Sequence, residues 1–264
     1  VVFSIIGSKI PFFKRTTDFF YFYPVNAFIY LVLIATVLIS GSIVFLVRTE
    51  DPRFLKFLLA FSGAFLIGIT FLQLVPEVYA KATTWTGLFV LAGFLLQLFL
   101  ELITEGAEHG HHHAHSDDER AAPFLLLIGL CIHSFLEGMP IAAGFGVRLQ
   151  HTLVLAIVVH NIPISLTLMG LFLHYGCSIR KSFLYLLIFA LMTPLGSSFS
   201  YLLNASLAAS LSDYFNYILA VVIGIFLHVS TTILFETEEN HRYNLQKFIT
   251  ILIGLGVALL IAQL

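Results

Sequence analysis

The sequence has few charges. It contains 13 Lys or Arg and 15 Asp or Glu among 264 residues, so only 11% of the chain is charged, whereas soluble domains have about 25%. This scarcity excludes an ordinary soluble globular protein. The net charge of −2 also argues against a nucleic-acid partner, because nucleic-acid-binding domains usually carry a basic stripe. The two cysteines, Cys131 and Cys177, lie in or beside apolar runs and imply no disulfide framework.

Long apolar runs take the place of the missing charges. Hydrophobic residues make up 59% of the chain, and the mean hydropathy is +0.97. A membrane-spanning helix needs about 20 mostly apolar residues, and lipid requires helices because backbone groups must be satisfied within the segment. We therefore predict an all-α, polytopic membrane protein. Residues 1–24 would be an interfacial lead-in, and residues 25–264 would form one eight-helix domain. Spans one to eight are predicted at 25–47, 54–79, 85–104, 123–146, 151–174, 182–207, 214–236 and 245–263.

The distribution of Lys and Arg predicts the orientation. The loops after spans two, four and six contain only two basic residues, Lys81 and Arg148. Because basic residues favour the cytoplasmic side, we expect the odd-numbered loops in the cytoplasm and both termini outside. Three basic residues in the N-terminal segment oppose this orientation but are outnumbered. The loops after the odd-numbered spans hold eight basic residues: Arg48, Arg53, Lys56, Arg120, Arg180, Lys181, Arg242 and Lys247.

Ionisable side chains inside two spans point to a cation site. His133 and Glu137 are four residues apart in span four, so they lie on one helical face. His160 and Asn161 lie in span five, which runs antiparallel to span four. At a rise of 1.5 Å per residue, both histidines reach roughly the middle of the bilayer. Imidazole nitrogen and carboxylate oxygen are common ligands of zinc, iron and manganese. These four residues are therefore the predicted metal site.

Other interpretations exist for each polar residue. A single intramembrane histidine can equally be an interhelical hydrogen-bond partner, but a His/Glu pair with a second His at matching depth favours metal binding. Asn161 could pack between helices, Ser134 is better explained by packing, and His228 in span seven is open between the two roles. The prolines add to the case for a site. Pro140 and Pro163 each free the carbonyl one turn earlier, as in transporters with interrupted helices.

Further candidate ligands lie near the ends of the spans. Glu77 would lie at the outer face, while Glu101, Glu105 and Glu236 would lie near the inner ends of spans three and seven. Carboxylates at the outer and inner ends of an ion path would raise the local concentration of a divalent cation. An equal alternative for each residue is that its carboxylate is only solvated at the membrane interface. The predicted cytoplasmic loop at 105–120 is rich in histidine and acidic residues and is expected to collect metal weakly. Its histidines are His109, His111, His112, His113 and His115.

These residues resemble the ZIP (Zrt/Irt-like) family of divalent metal transporters, of bacterial type, over about residues 25–264. Span four has His133, Ser134, Glu137 and Gly138, similar to the family's His-Asn/Ser-x-x-Glu-Gly signature, and span five has His160-Asn161-Ile-Pro163. Span two ends in Leu74-Val-Pro76-Glu77, and span six contains Thr193-Pro194-Leu-Gly196, which are also similar to family elements.

The resemblance implies a transporter rather than an enzyme. It would lie in a bacterial inner (plasma) membrane and carry zinc, or iron, manganese or cadmium, toward the cytosol by movement of one helix bundle against another. Homodimers would be plausible, the metal would be a substrate, and no organic cofactor would be needed.

Two departures from the family pattern predict a single principal ion. The bacterial pattern has Glu after the span-five proline, where this sequence has Ile164, and often a carboxylate at the position of Thr193. Ser134 also replaces the commoner Asn. The second site of a two-metal centre would thereby lose its main ligands.

Two other function classes are weaker. An intramembrane metal-dependent hydrolase could use the same His and Glu, but such enzymes usually carry His-Glu-x-x-His, which this chain lacks. A metal-sensing receptor would need an output domain, and none is recognisable in the sequence.

Overall fold

A computed structural model describes residues 25–45, 52–104, 122–142, 146–206, 212–235 and 245–263. Within these ranges the regular structure is helical and no strand is present. The all-α, eight-span prediction is therefore confirmed. Residues 1–24, Glu105, Glu236 and the five loop histidines lie outside the described residues. The eight helices that are long and apolar enough to cross a membrane are Ala27–Phe45, Phe54–Ala80, Thr86–Ile103, Pro123–Ala142, Val147–His174, Ile179–Leu203, Tyr214–Phe235 and Leu245–Gln263.

The connection between spans four and five lies four residues earlier in the chain than predicted. The α-helix of span four ends at Gly138 and continues as a 3₁₀ turn, Met139–Ala142, because Pro140 has no N–H to donate to the carbonyl one turn back. Span five begins at Val147, directly after Gly146, whose φ is 96°. The predicted end at 146 and start at 151 were therefore wrong by four residues each. Four residues, 143–146, separate the two spans in the chain.

Span two contains a wide turn. Its α-helix Pro52–Ile69 passes through a π-helical turn, Thr70–Leu74, into Val75–Ala80. Pro76 explains the change, because its ring lacks a donor and would clash with a carbonyl one turn earlier in a regular α-helix. The turn carries Gln73, whose Oε1 accepts a hydrogen bond from Thr152 of span five at 2.6 Å. This bond joins span two to span five.

The helices pack as two groups. Spans one, four, five and six form the first group. In this group span one packs along span five and span six, and span four packs along span six. The second group contains spans two, three, seven and eight, with span three along seven and span two along eight and seven. An apolar cluster that includes Val37, Leu127, Phe172, Leu186 and Phe189 holds the first group together. The groups meet mainly where span two contacts span five.

Close backbone contact sets the position of span four within the first group. A Cβ added to Gly138 would overlap the backbone carbonyl of Thr193 in span six, and one added to Gly196 would overlap the carbonyl of Phe135. Small residues allow helices in membranes to approach in this way. Since Gly138 follows Glu137 directly, the crossing of spans four and six also determines where the Glu137 carboxylate lies.

Candidate metal site

His133 and Glu137 form the first half of the site on one face of span four. His133 Nε2 lies 2.7 Å from Glu137 Oε1, and the two side chains are 1% and 0% exposed. The spacing of four residues predicted this contact, since residues i and i+4 are neighbours on a helix. A buried carboxylate is costly unless a cation or a donor compensates it. The pair is therefore a strong attractor for a positive charge.

His160 brings the second imidazole from span five. Its Nε2 lies 4.0 Å from the same Glu137 Oε1, and its ring centroid is 5.6 Å from that of His133. The three ligand atoms all lie within 4.8 Å of one another, and all three side chains are buried. Two ligands bonded to one zinc ion at about 2.1 Å each can be at most about 4.2 Å apart, so small side-chain movements would close the site around an ion. A search of the described residues for three His, Cys, Asp or Glu side chains placed closely enough to hold a metal ion finds this group.

Besides Glu137 Oε1, which faces His133, three buried oxygen atoms at or beside this group have no hydrogen-bond partner among the described residues. They are Glu137 Oε2, Asn161 Oδ1 and Ser134 Oγ. Leaving a buried polar atom unsatisfied costs about 1–3 kcal/mol, and native proteins rarely accept several such atoms together. Oxygen atoms of this kind can ligate an ion or a water bound to it. Asn161, predicted as a nearby ligand, is 3% exposed, and Ser134 is fully buried.

Gln97 in span three contacts the site and is not among the residues predicted from the sequence. Its Oε1 lies 3.0 Å from His133 Nδ1, the ring nitrogen opposite the one that faces Glu137. Gln97 is 1% exposed. The only sequence signal was a single amide inside the apolar run Leu95-Leu-Gln97-Leu. Polar residues inside spans usually have a specific partner, but the sequence does not say which one.

The secondary candidates are divided between two places. Glu101 and His228 lie together, with Oε2 of Glu101 3.4 Å from Nε2 of His228, and both side chains are mostly buried. Phe94 packs against the His228 ring edge to face at 4.8 Å. Glu101 follows Gln97 by one helical turn, so both lie on the same face of span three. Glu77 is half-buried in the last part of span two and lies outside the group of three.

The two positions that depart from the family pattern have other contacts. Ile164 packs against the apolar cluster of the first group. Thr193 is 2% exposed, and its backbone is the surface that Gly138 touches. Neither residue brings a carboxylate toward His133, Glu137 and His160, and the described residues supply one carboxylate to this group.

A protein-family model described as ZIP Zinc transporter matches the chain. Two matched segments cover residues 24–123 and 105–262, and together they contain the group His133, Glu137 and His160 and all eight spans except the last residue of span eight. No curated protein sequence matched the chain.

Proposed function

The chain belongs to the ZIP zinc transporter family, and we propose that it moves divalent transition-metal ions, zinc first, through the site formed by His133, Glu137 and His160. The observation that carries this proposal is the set of three buried ligand atoms within 4.8 Å of one another, on two different spans. Imidazole and carboxylate ligands also bind iron, manganese and cadmium, so these ions are further candidate substrates. The order of affinities alone does not decide which metal a protein selects.

The chemistry of the site suits an ion that must lose its water. Glu137 supplies one negative charge and the two neutral imidazoles supply nitrogen ligands, which together replace part of the hydration shell. Asn161 Oδ1 and Ser134 Oγ offer neutral oxygen atoms nearby. With one carboxylate, the site keeps a net positive charge when a divalent ion is bound. Such a site binds an ion and can still release it.

We propose a path from Glu77 at the outer face to the pair Glu101–His228 on the inner side, and then to the His-rich loop. The excess of Lys and Arg in the odd-numbered loops supports this orientation, with both termini outside and transport toward the cytosol.

A cysteine introduced at Lys81, in a background without Cys131 and Cys177, should be labelled from the outer side of intact cells. Labelling from the cytoplasmic side alone would reverse the orientation.

The two helix groups support movement of one against the other. His133, Glu137 and His160 all belong to the first group, so a displacement of that group carries three ligands together.

The family resemblance also implies a homodimer in a bacterial plasma membrane, which we keep as a proposal. The mass of the purified protein in native mass spectrometry checks the dimer.

Zinc flux tests the proposed function directly. Proteoliposomes that contain a fluorescent zinc indicator and the unmodified chain should show saturable Zn²⁺ uptake, and His160→Ala should fall to the background of empty liposomes because one nitrogen ligand is lost. His151→Ala is the matched control, since His151 lies on the same span but is exposed. Uptake by His160→Ala equal to that of the control would refute the site. Zinc binding without any flux would contradict the proposed transport.

A single bound ion per chain is the expected stoichiometry. Ile164 lies one turn after His160 and so on the same helical face, but it cannot ligate. Ile164→Glu should therefore raise the zinc content of dialysed, purified protein from one ion per chain toward two, while Ile164→Gln should stay at one. Elemental analysis measures the ratio. Two tightly held ions in the unmodified chain would contradict the single-ion proposal.

A further inference from the structure

We infer that Gln97 is a positioning residue for the transported ion, which orients His133 through a hydrogen bond that crosses from one helix group to the other. The inference rests on the proposed function. The Oε1 atom of Gln97 lies 3.0 Å from His133 Nδ1, and both side chains are 1% exposed. Because an amide oxygen can only accept, we assign the hydrogen of this bond to Nδ1 of His133.

This bond determines which nitrogen of His133 meets the ion. A neutral imidazole has one N–H and one lone pair, so a hydrogen on Nδ1 leaves the lone pair on Nε2. Nε2 is the atom that faces Glu137, at 2.7 Å. A histidine that binds a metal through one ring nitrogen generally donates the N–H of the other to a hydrogen-bond acceptor. That bond fixes the tautomer and the orientation of the ring. Gln97 holds His133 in the form that can bind.

The two partners of this bond belong to different helix groups. His133 is on span four of the first group, whereas Gln97 is on span three, which lies along span seven in the second group. Gly93, one turn before Gln97, is in backbone contact with Val221 of span seven, so the second group sets the position of Gln97. Spans three and four contact each other much less than either contacts its own main partner.

The orientation of His133 therefore depends on how the two groups sit against each other. When they are arranged as described, Gln97 holds the ring and the site has high affinity. A displacement of the first group separates Gln97 from His133 and leaves the ring less well oriented, so the affinity falls. A ligand that binds one arrangement more tightly shifts the equilibrium toward it, and this bond would be one source of that difference.

The test compares Gln97→Leu with Gln97→Glu and with Gln73→Leu. Leu removes the acceptor, whereas Glu keeps an acceptor oxygen at the same reach. Gln73 is the matched control, because it also makes a hydrogen bond between the groups, to Thr152, without touching the site. Gln97→Met, close in length to Gln and apolar, is the second acceptor-free variant if Gln97→Leu does not fold.

The readouts are the Kd for Zn²⁺ by calorimetry, the KM and maximal rate of Zn²⁺ uptake, and the visible absorption of bound Co²⁺. Loss of an outer partner of a metal ligand typically weakens affinity by about 10–100-fold. We expect Gln97→Leu to raise Kd and KM by that factor and to change the Co²⁺ spectrum, while Gln97→Glu and Gln73→Leu stay close to the unmodified chain.

Two results would overturn the inference. One is an unchanged Kd and Co²⁺ spectrum in the folded, acceptor-free variants; the other is an equal loss of affinity in Gln73→Leu, which would make the effect a general consequence of loosening the groups. In both cases the unmodified chain still binds and transports zinc. If the unmodified chain neither binds nor transports zinc, the proposed function fails, and this inference fails with it.

Discussion

Replacing Glu137 with Ala is expected to abolish zinc uptake and to weaken zinc binding by at least about 100-fold, more than the loss of an outer partner would. Glu137 is the one carboxylate of the group, its Oε1 lies 2.7 Å from His133 and 4.0 Å from His160, and it is fully buried. Without its charge, two neutral imidazoles remain to hold a doubly charged ion away from water. Glu137→Gln, which keeps the shape but not the charge, should be equally inactive. Flux into proteoliposomes and calorimetry measure both effects.

Two comparisons make the Glu137 result specific. Ser230→Ala removes a buried polar group of span seven that bonds only to carbonyls of its own helix, and it should leave uptake unchanged. Deletion of residues 109–115 should lower the rate or its regulation but leave uptake measurable, because ordering several side chains around an ion has an entropic cost that weakens binding. Measurable uptake by folded Glu137→Ala would rule out the site. A loop deletion as inactive as Glu137→Ala would make the loop an obligatory part of the path.

Replacing Gly138 with Val should produce a large loss of stability. The new side chain would overlap the backbone carbonyl of Thr193, and a helix backbone cannot turn aside as a flexible side chain does. Overpacking of this kind costs about 1–3 kcal/mol and more when backbones must separate. Spans four and six would move apart, and Glu137 would move with them. We expect a marked fall in the thermal transition of the purified protein in detergent, and little zinc binding by whatever remains folded.

Gly170 provides the matched control for this substitution. It lies inside span five, and a Cβ added there would have no neighbour within 4 Å. Gly170→Ala should therefore be neutral or stabilise the protein by up to about 1 kcal/mol, because Ala favours helix more than Gly does. Equal thermal transitions for Gly138→Val and the unmodified chain would show that the helices cross with more room than described.

Much of the fold could be predicted because membrane helices are encoded locally. About 20 apolar residues in a row are sufficient evidence for a span, so the eight-span prediction is confirmed, with errors of a few residues at the ends. Errors of four residues lay beside Pro140 and Gly146, where backbone conformation rather than hydropathy decides the boundary. The family resemblance read from spans four and five is also confirmed, since a family model matches nearly the whole chain.

The inner part of the site also followed from the sequence. Helical periodicity puts His133 and Glu137 on one face, and the short connection to span five brings His160 beside them, as the structure has it. Their role as ligands, with Asn161 nearby, stays a prediction. So do the directions of the spans and the single ion expected from Ile164 and Thr193.

What the sequence by itself determined was therefore what short-range rules govern: the number of spans, the faces of each helix, and which candidate ligands lie on neighbouring helices. Only the tertiary structure decided which distant helices meet. It joined Gln97 to His133, separated by 36 positions, and Glu101 to His228, and it sorted the spans into two groups. The reason is physical. An apolar helix shows lipid and protein neighbours the same kind of surface, so partner choice depends on the close fit of particular glycines and polar groups across the bundle.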